Sequence, residues 1–455
     1  MTEIRGPVHI VGIGGMHMSA IALLLRERGE EVQGSDLEAS DLTRNLQEMG
    51  VTVFPEHAAE NLGEAQCVVA TAAVGDDNPE VAEARRRGLP VLGRPEVVAG
   101  LMEGKRVVAV AGSHGKTTTS SLVAFILSRA GRQPMYLLGG ESRDLGGNAS
   151  WGGGDICVVE ADEYQRAFHA YDPDVAVITN VDADHLDVYG TPEAYEEAFL
   201  TFARRLREGG RLLAGGGNAG SRRVAEAVAE ETAVETYGLD ADCTWQATDV
   251  ALGETGASFI VKRLGESLGE LTIALPGEYA VENTLAAAAV CLGEGTPFAA
   301  IRDAAACFQG AKRRFERVGE AGGVLVIDEY AHHPSEVRAV LGAARTRFPK
   351  RRLIGIHQPH TYSRIAYLWE AWLECWEGLD ELVILETYAA RETPLEGRSA
   401  ADLARNIARP AASYAPDFAA AVEQAAALSR PGDVVMTIGA GSVTEVGPLL
   451  LEALS

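Results

Sequence analysis

The stretch Arg106 to Ala111 is an apolar run of strand length that enters Gly112-Ser113-His114-Gly115-Lys116-Thr117-Thr118-Thr119, and a helical pattern follows from Ser120 to Ala130. A strand that delivers a glycine turn to a helix N-terminus aims backbone N–H groups and the positive helix end at a phosphate chain. Such a unit needs a parallel sheet beside its helix, which sets the class as α/β. Lys116 adds a point charge and Thr117 offers a hydroxyl to Mg²⁺. The chain has five lysines among its 40 basic residues, so a lysine in a glycine turn is read as functional rather than as filler. Val110 stands at the first glycine position of the common G-x-x-x-x-G-K-[ST] pattern, which the segment therefore departs from.

A second strand, turn and helix unit opens the chain. Val8 to Val11 runs into Gly12-Ile13-Gly14-Gly15, and apolar residues recur with helical spacing from Met18 to Arg28. His17 falls where a dinucleotide fingerprint has its third glycine, so a nucleotide diphosphate other than NAD fits better, with Asp36 at the distance where a carboxylate commonly meets a ribose hydroxyl. Further strands are expected at Glu31 to Gly34, Cys67 to Thr71, Leu89 to Leu92, Ile156 to Glu160 and Val175 to Thr179. Cys243 to Ile273 alternates like antiparallel strands, and Val281 to Leu292 reads as an alanine-rich helix. From Gly319 a third alternation begins, with strands at Val324 to Ile327, Leu353 to His357, Glu381 to Leu385 and Val434 to Ile438. Helices at Pro334 to Arg347, Ile365 to Trp376 and Phe418 to Ala427 separate them.

With 455 residues, roughly three domains are expected. These are a Rossmann-like domain over 1–105, a central P-loop ATPase-like α/β domain over 106–318, and a C-terminal Rossmann-like α/β domain over 319–455. The net charge of −25 repels phosphate backbones and anionic lipid heads, so neither nucleic acid nor membrane is expected as a partner. No apolar run reaches the length of a bilayer span, and the N-terminus lacks a signal peptide's basic start and apolar middle, which predicts a cytoplasmic address. The six cysteines (67, 157, 243, 291, 307, 375) are scattered singly and read as reduced core residues.

Two expected strand ends carry ligands suited to a hard cation: Glu160-Ala161-Asp162-Glu163, and Asn180 to Asp187 with His185. Four of the ten histidines gather in Tyr330-Ala331-His332-His333-Pro334 and His357-Gln358-Pro359-His360-Thr361-Tyr362-Ser363-Arg364. No accompanying cysteine or carboxylate spacing supports zinc, and a polar acceptor site is the better reading. Lys312-Arg313-Arg314-Phe315 is a basic group that can close on a γ-phosphate.

Together these segments resemble the Mur ligase family over nearly the whole chain. Carrying the resemblance are Gly12 to Gly15 with Met18-Ser19, Gly34-Ser35-Asp36, Gly112 to Thr119, Glu160 to Glu163, Thr179-Asn180 with Ala183 to Asp187, Lys312 to Phe315, Tyr330 with His332 to Pro334, Gln358 to His360 with Tyr362 to Arg364, and Tyr388 to Glu392. The phosphate loop is shared with other amide ligases; the N-terminal glycine turn and the HHP and QPH segments narrow the choice to the branch that adds L-alanine to UDP-N-acetylmuramate, in peptidoglycan precursor synthesis.

The resemblance implies ATP as co-substrate with Mg²⁺, and an acyl phosphate on the lactyl carboxylate that the amine of L-alanine displaces. It places the UDP-sugar on Gly14, Gly15, Met18, Ser19, Ser35, Asp36 and Thr71. ATP falls to Gly112, Ser113, His114, Gly115, Lys116, Thr117, Thr118, Asn283, Arg314 and Asp328, and the metal to Thr117, Glu160 and His185. Lys116, His185, His332, His360 and Arg364 are the implied catalytic set. Against the family's pattern, Tyr279-Ala280 replaces His-Asn, Glu329 stands for a second Asp, Ser442 for a C-terminal Asp, and Gln165 and Ala167 for Asp and Ser. Several members hold a second Mg²⁺ with a CO₂-carbamylated lysine. This chain has no lysine between Lys116 and Lys262, and Glu196 or Glu197 is expected to supply that oxygen instead. Two other readings are a ligase adding a preformed tripeptide to the same sugar nucleotide in cell-wall recycling, and a nucleotide-sensing homologue that does not ligate.

Overall fold

The computed structural model describes residues 4, 6–71, 73–390 and 392–455, with the side chain of residue 187 left out. Arg391 of the Tyr388 to Glu392 segment and most of the first five residues lie outside that set. The chain divides into two compact units, 1–246 with 285–304, and 247–284 with 305–455.

The first unit contains a five-stranded parallel sheet built from β1 (Val8–Val11), β2 (Val32–Ser35), β3 (Thr52–Phe54), β4 (Cys67–Ala70) and β5 (Val91–Gly93) in the order β3-β2-β1-β4-β5. Its strands are short and its centre, Val8, Ile10, Val11, Val68 and Val69, is fully buried, as expected where helices cover both faces of a parallel sheet. The strand order reverses on either side of β1, so the carboxyl ends of β1, β2 and β4 border the crevice where such sheets take ligands.

The same unit carries β6 (Arg106–Ala111), β7 (Met135–Ser142), β8 (Gly147–Ser150), β9 (Ile156–Glu160), β10 (Val175–Ile178), β11 (Arg211–Gly215) and β12 (Ala233–Gly238). They run β12-β11-β10-β6-β9-β7-β8, parallel except for the β7/β8 pair. β6 therefore lies between β9 and β10, and its glycine turn emerges between their ends at Glu160 and Thr179. β13 (Trp245–Gly253) extends the β12 edge through Tyr237↔Trp245. Helix Met16–Arg28 is fastened to β8 and the residue after it, because Glu27 accepts from Trp151 N (2.6 Å) and Ser150 Oγ (3.2 Å) and Asn148 Nδ2 donates to Met16 O (3.4 Å).

The second unit holds the antiparallel pair β14 (Gly256–Arg263) and β15 (Glu266–Ile273), as the alternating pattern predicts. Its main sheet comprises β16 (Glu316–Ala321), β17 (Val324–Glu329), β18 (Leu353–His357), β19 (Glu381–Leu385), β20 (Ala412–Ala415) and β21 (Val434–Ile438), ordered β16-β17-β21-β18-β19-β20. A boundary at 318/319 cuts β16. This strand pairs antiparallel with β17 across the tight Gly322-Gly323 turn, so these glycines close a hairpin. The expected helix Ile365 to Trp376 is two short helices, Tyr362–Tyr367 and Trp369–Glu374. Five cysteines are buried, while Cys307 is exposed, against the expectation of six core thiols. Among the described residues no helix is long and apolar enough to cross a membrane.

Candidate active site

The phosphate loop is braced from below by the residues that follow β10. Gly112 adopts φ 141°, and a Cβ there would run into the Thr179 side chain, so the turn requires glycine. Thr179 Oγ1 donates to His114 O (2.5 Å), His114 N donates to Asn180 Oδ1 (2.8 Å), and Ser113 N to Asn180 O (3.1 Å). Ser113 Oγ bonds Asp182 through both its backbone O and N (2.8 and 2.9 Å). Ser113 and His114 thus shape the loop with groups already in use, and a phosphate is left to the N–H groups of the first turn of helix Lys116–Arg129.

Lys116 lies across this turn. Its ammonium donates to Gly112 O (2.5 Å), Ser113 O (3.2 Å) and the carboxylate of Glu163 (2.9 Å). Burial lowers the lysine's pKa, yet Glu163 and Glu160 together outweigh that and hold it above its usual value, so the ammonium stays charged. Sequence reasoning placed Glu163 only in a motif. It is the lysine's partner, and Tyr189 OH fixes it by donating to its backbone oxygen.

The three expected metal residues divide. Glu160 accepts from Gly139 N (2.9 Å), and a Cβ at Gly139 would collide with its carboxylate; next along β7, Gly140 faces the Thr117 methyl. Glu160 is thus held at β7 by the Gly139 amide and lies close enough to Lys116 to raise its pKa, while Thr117, on the first turn of the helix, turns its methyl toward Gly140. His185, in a left-handed conformation (φ 51°), turns toward other acids, with Nε2 3.9 Å from Glu163 and 3.8 Å from Asp184. No group of three or more His, Cys, Asp or Glu side chains that could cage a metal occurs among the described residues. Mg²⁺ takes one or two protein carboxylates and completes its shell with substrate phosphate and water. Glu196 and Glu197 are elsewhere: Glu196 is paired with Arg223 (2.5 Å) in a groove between helices Pro192–Ala203 and Ala219–Val228, and Glu197 is exposed. The expectation that one of them serves the metal is corrected, because helical spacing told which residues share a face and not which face looks outward.

At the N-terminal sheet, Asp36 Oδ2 accepts from Gly14 N (2.8 Å) and Oδ1 from Glu38 N (3.0 Å), so its carboxylate closes the glycine turn. Thr71 follows β4 at the same sheet edge, its N–H on Val11 O. Met18 and Ser19 are buried in the helix, with Ser19 Oγ bonded to Met16 O (3.0 Å). Ser35 is fully buried and donates to Glu80 (2.6 Å), which rules its hydroxyl out as a ligand group in this arrangement. Glu80 was not anticipated. It is fully buried, and Asn61 (2.7 Å), His57 (3.1 Å) and His9 (3.3 Å) also surround it. Burial raises its pKa, but hydrogen bonds from His9, Ser35 and Asn61 more than reverse this, and it is lowered to about 2. Arg94 bonds Asp162 (2.7 Å), linking the start of helix Arg94–Leu101 to the acidic segment. His17 lies close enough to feel both, its pKa lowered to about 4 by burial and Arg94.

In the second unit the histidine segments do meet. The His332 ring stands edge-on to Tyr330 (5.4 Å) and 6.2 Å from His360, His360 stacks on Tyr388 (5.4 Å), and Arg364 Nη1 lies 3.3 Å from His360 Nδ1. Because arginine only donates, His360 Nδ1 is the acceptor of that contact. Ser363 is held by Glu392 through N (2.8 Å) and Oγ (2.5 Å). Asn283 is buried on helix Glu278–Gly293. Asp328 accepts from Thr437 (2.6 Å), Thr444 (2.8 Å) and Arg313 (3.1 Å), which fix its carboxylate near the end of β17.

Three family models match along the chain: the Mur ligase family catalytic domain over residues 7–106, the Mur ligase middle domain over 110–291, and the Mur ligase glutamate ligase domain over 313–441. The chain is 44% identical to a UDP-N-acetylmuramate--L-alanine ligase of Roseiflexus castenholzii, with 98% of this chain and 97% of that one covered. To the protein of the same name from Geobacter sp. strain M21 it is 41% identical, over 98% and 96%. Among solved structures, the UDP-N-acetylmuramate-alanine ligase of Thermotoga maritima superposes with a TM-score of 0.81 at 27% identity, covering 98% of both chains.

Proposed function

Because the chain belongs to the Mur ligase family, we propose that it is an ATP-dependent ligase that joins L-alanine to the lactyl carboxylate of UDP-N-acetylmuramate. The observation that carries this reading is the charged Lys116 folded over the first turn of its helix and paired with Glu163, with Glu160 close by.

A carboxylate does not react with an amine in water because oxide is too poor a leaving group. One carboxylate oxygen therefore attacks the γ-phosphorus of ATP, ADP departs, and an acyl phosphate results. The amine of alanine then attacks the acyl carbon, loses a proton, and expels inorganic phosphate. Lys116 and the first-turn amides of its helix stabilise the charge that spreads over the transferring phosphoryl oxygens. Glu163 keeps the ammonium charged and aimed until a phosphate replaces it as partner. Thr117 and Glu160 are the residues that would hold Mg²⁺, which when bound neutralises the phosphate oxygens. His185 acts beside Glu163. In the second unit, His332, His360 and Arg364 are assigned to the acyl phosphate and the amino acid, and Arg314 to the nucleotide's phosphates. The UDP-sugar falls to the crevice at Gly14, Gly15 and Thr71.

Phosphate release measured with ATP, Mg²⁺ and UDP-N-acetylmuramate across the twenty amino acids tests the reading. Release should require both the sugar nucleotide and an amino acid, with alanine foremost. A preference for a preformed tripeptide over alanine would move the chain to the recycling reaction, and release without any amino acid would refute ligation.

A further inference from the structure

The second unit contains a buried acidic pair, Asp328-Glu329, at the end of β17 beside the turn Arg313-Arg314-Phe315. Arg313 (φ 60°) and Phe315 (φ 51°) both adopt left-handed backbone conformations, which cost energy in residues other than glycine or asparagine and must be held in place. The two acids divide that task. Asp328 takes the Arg313 guanidinium, whose remaining N–H groups reach the carbonyls of Gly439 (2.6 Å) and Gly441 (3.1 Å). Glu329, 3% exposed, accepts from Phe315 N (2.9 Å) with one oxygen and from Ala331 N (3.0 Å) with the other. One carboxylate thus bridges the basic turn and the loop that leads to His332. The Tyr330 ring lies under Arg313 (4.9 Å) and Arg314 (5.0 Å), and Arg314 Nη1 is 3.9 Å from Glu329.

We propose that Glu329 is a positioning residue for Arg314, tying the 313–315 turn to the 330–332 loop so that the Arg314 guanidinium is held over Tyr330 in the orientation that meets a nucleotide's phosphates. The proposal rests on the reading of Arg314 as a phosphate contact. Arg313 cannot take that role, since its donors are spent on Asp328 and backbone carbonyls. A neutral side chain of the same shape could fill the space, but only an anion both accepts two backbone N–H groups and attracts the guanidinium.

Burial pushes the Glu329 carboxyl up to about 7, against the pull of Arg314. The charged and titratable groups facing it are Arg314 on the turn, Glu336 on helix Pro334–Arg347, and Tyr279 on helix Glu278–Gly293 with Arg347 beyond it. Above that pH both acceptor oxygens are available. Below it a proton occupies one of them, the turn or the loop loses a charge-assisted bond, and Arg314 loses the charge of one of the two carboxylates, Glu329 and Glu336, that lie 3.9 Å from its Nη1. Nucleotide affinity should therefore fall as pH drops through about 7.

Calorimetric titration of the full chain with a non-hydrolysable ATP analogue, from pH 6 to 8.5, tests this in wild type, E329Q, E329D, R314A and E329Q/R314A. The analogue's terminal phosphate titrates in the same range, so the slope is read against that of E329Q. Expected are a roughly tenfold weaker affinity for E329Q at pH 8, loss of the extra slope in E329Q and R314A, and its retention in E329D. The double variant should be no weaker than R314A. An E329Q slope equal to wild type, or a double variant weaker than R314A by the full E329Q factor, overturns the proposal. If E329Q does not fold, a slope retained in E329D and lost in R314A supports it, and any other pattern overturns it. Affinity is read without ligation, so failure of alanine-dependent phosphate release would strike the ligase reading alone.

Discussion

Two turns in the first unit are built on one backbone plan, a buried parallel strand, a glycine turn and a helix, yet they are wired with opposite charge. At Gly12 to Gly15 a carboxylate from the next strand, Asp36, occupies the Gly14 amide, and a second carboxylate, Glu80, lies buried beneath Ser35. At Gly112 to Gly115 the bracing comes from neutral groups, Thr179, Asn180 and the Asp182 backbone, and a lysine lies over the turn. The difference teaches that a glycine turn before a helix is only a frame. The first turn, with its amide taken by an acid, is suited to hold a ligand it does not transform, while the second concentrates positive charge where phosphoryl transfer needs it.

Removing the lysine breaks the contrast most severely. Lys116→Ala should lose roughly 3–4 kcal/mol of transition-state stabilisation, a fall in turnover of at least about a hundredfold. Calorimetry should show UDP-sugar affinity near wild type, because that ligand is assigned to the other turn. Equal losses at both would mean the two turns do not divide the work.

Next in size is the support beneath the first turn. Glu80→Gln leaves Ser35, His57, His9 and Asn61 around a neutral amide, and should cost about 2–3 kcal/mol in denaturant unfolding at neutral pH. Since the folded carboxyl is lowered to about 2, its stabilisation is fully present above the unfolded value of about 4.3 and is lost as pH falls toward 2. The gap between wild type and variant should narrow as the pH is lowered from about 5. A gap independent of pH would show that Glu80 contributes by shape alone.

A smaller effect is expected from Asp36→Asn, which keeps one acceptor for the Gly14 amide but removes the charge. Sugar-nucleotide affinity should change by about tenfold, with ATP-analogue affinity unaltered. A change in ATP affinity instead would erase the separation of the two turns.

Much of this frame was legible in sequence. β6, β9 and helix Pro334–Arg347 fall where apolar runs and flanking signals put them, because buried parallel strands are continuous in hydrophobicity and Pro334 marks a helix start. What could not be read was the direction of side chains at polar positions. Ser35 and Asp36 are adjacent in a motif, but alternation along the strand sends Ser35 into the Glu80 network. Glu80 itself looks like an ordinary first-turn acid after Asn78-Pro79, and only the fold brings three other segments to it. Glu163 gave no sign of being Lys116's partner, since their sequence separation of 47 is closed only by the β6/β9 pairing. β16 was missed because Gly319 interrupts its alternation.

The smallest expected effect is none, and it corrects a reading of the second turn's surroundings. The chain has no lysine between Lys116 and Lys262, so no carbamate can form there, and activity should be indifferent to bicarbonate depletion. A replacement anion was expected at Glu196 or Glu197. The structure pairs Glu196 with Arg223 across two helices and leaves Glu197 exposed near Arg204. Both then belong to an outer face, where such pairs contribute little to stability, about 0–1 kcal/mol. Glu196→Gln and Glu197→Gln should each leave turnover and the Mg²⁺ concentration for half-maximal activity unchanged. Under the same titration Glu160→Gln should raise that concentration, because Glu160 ends β9 close to Lys116 of the phosphate turn. A raised Mg²⁺ requirement in either surface variant, or rescue of a CO₂-stripped enzyme by bicarbonate, would place a second anionic ligand where the geometry puts none.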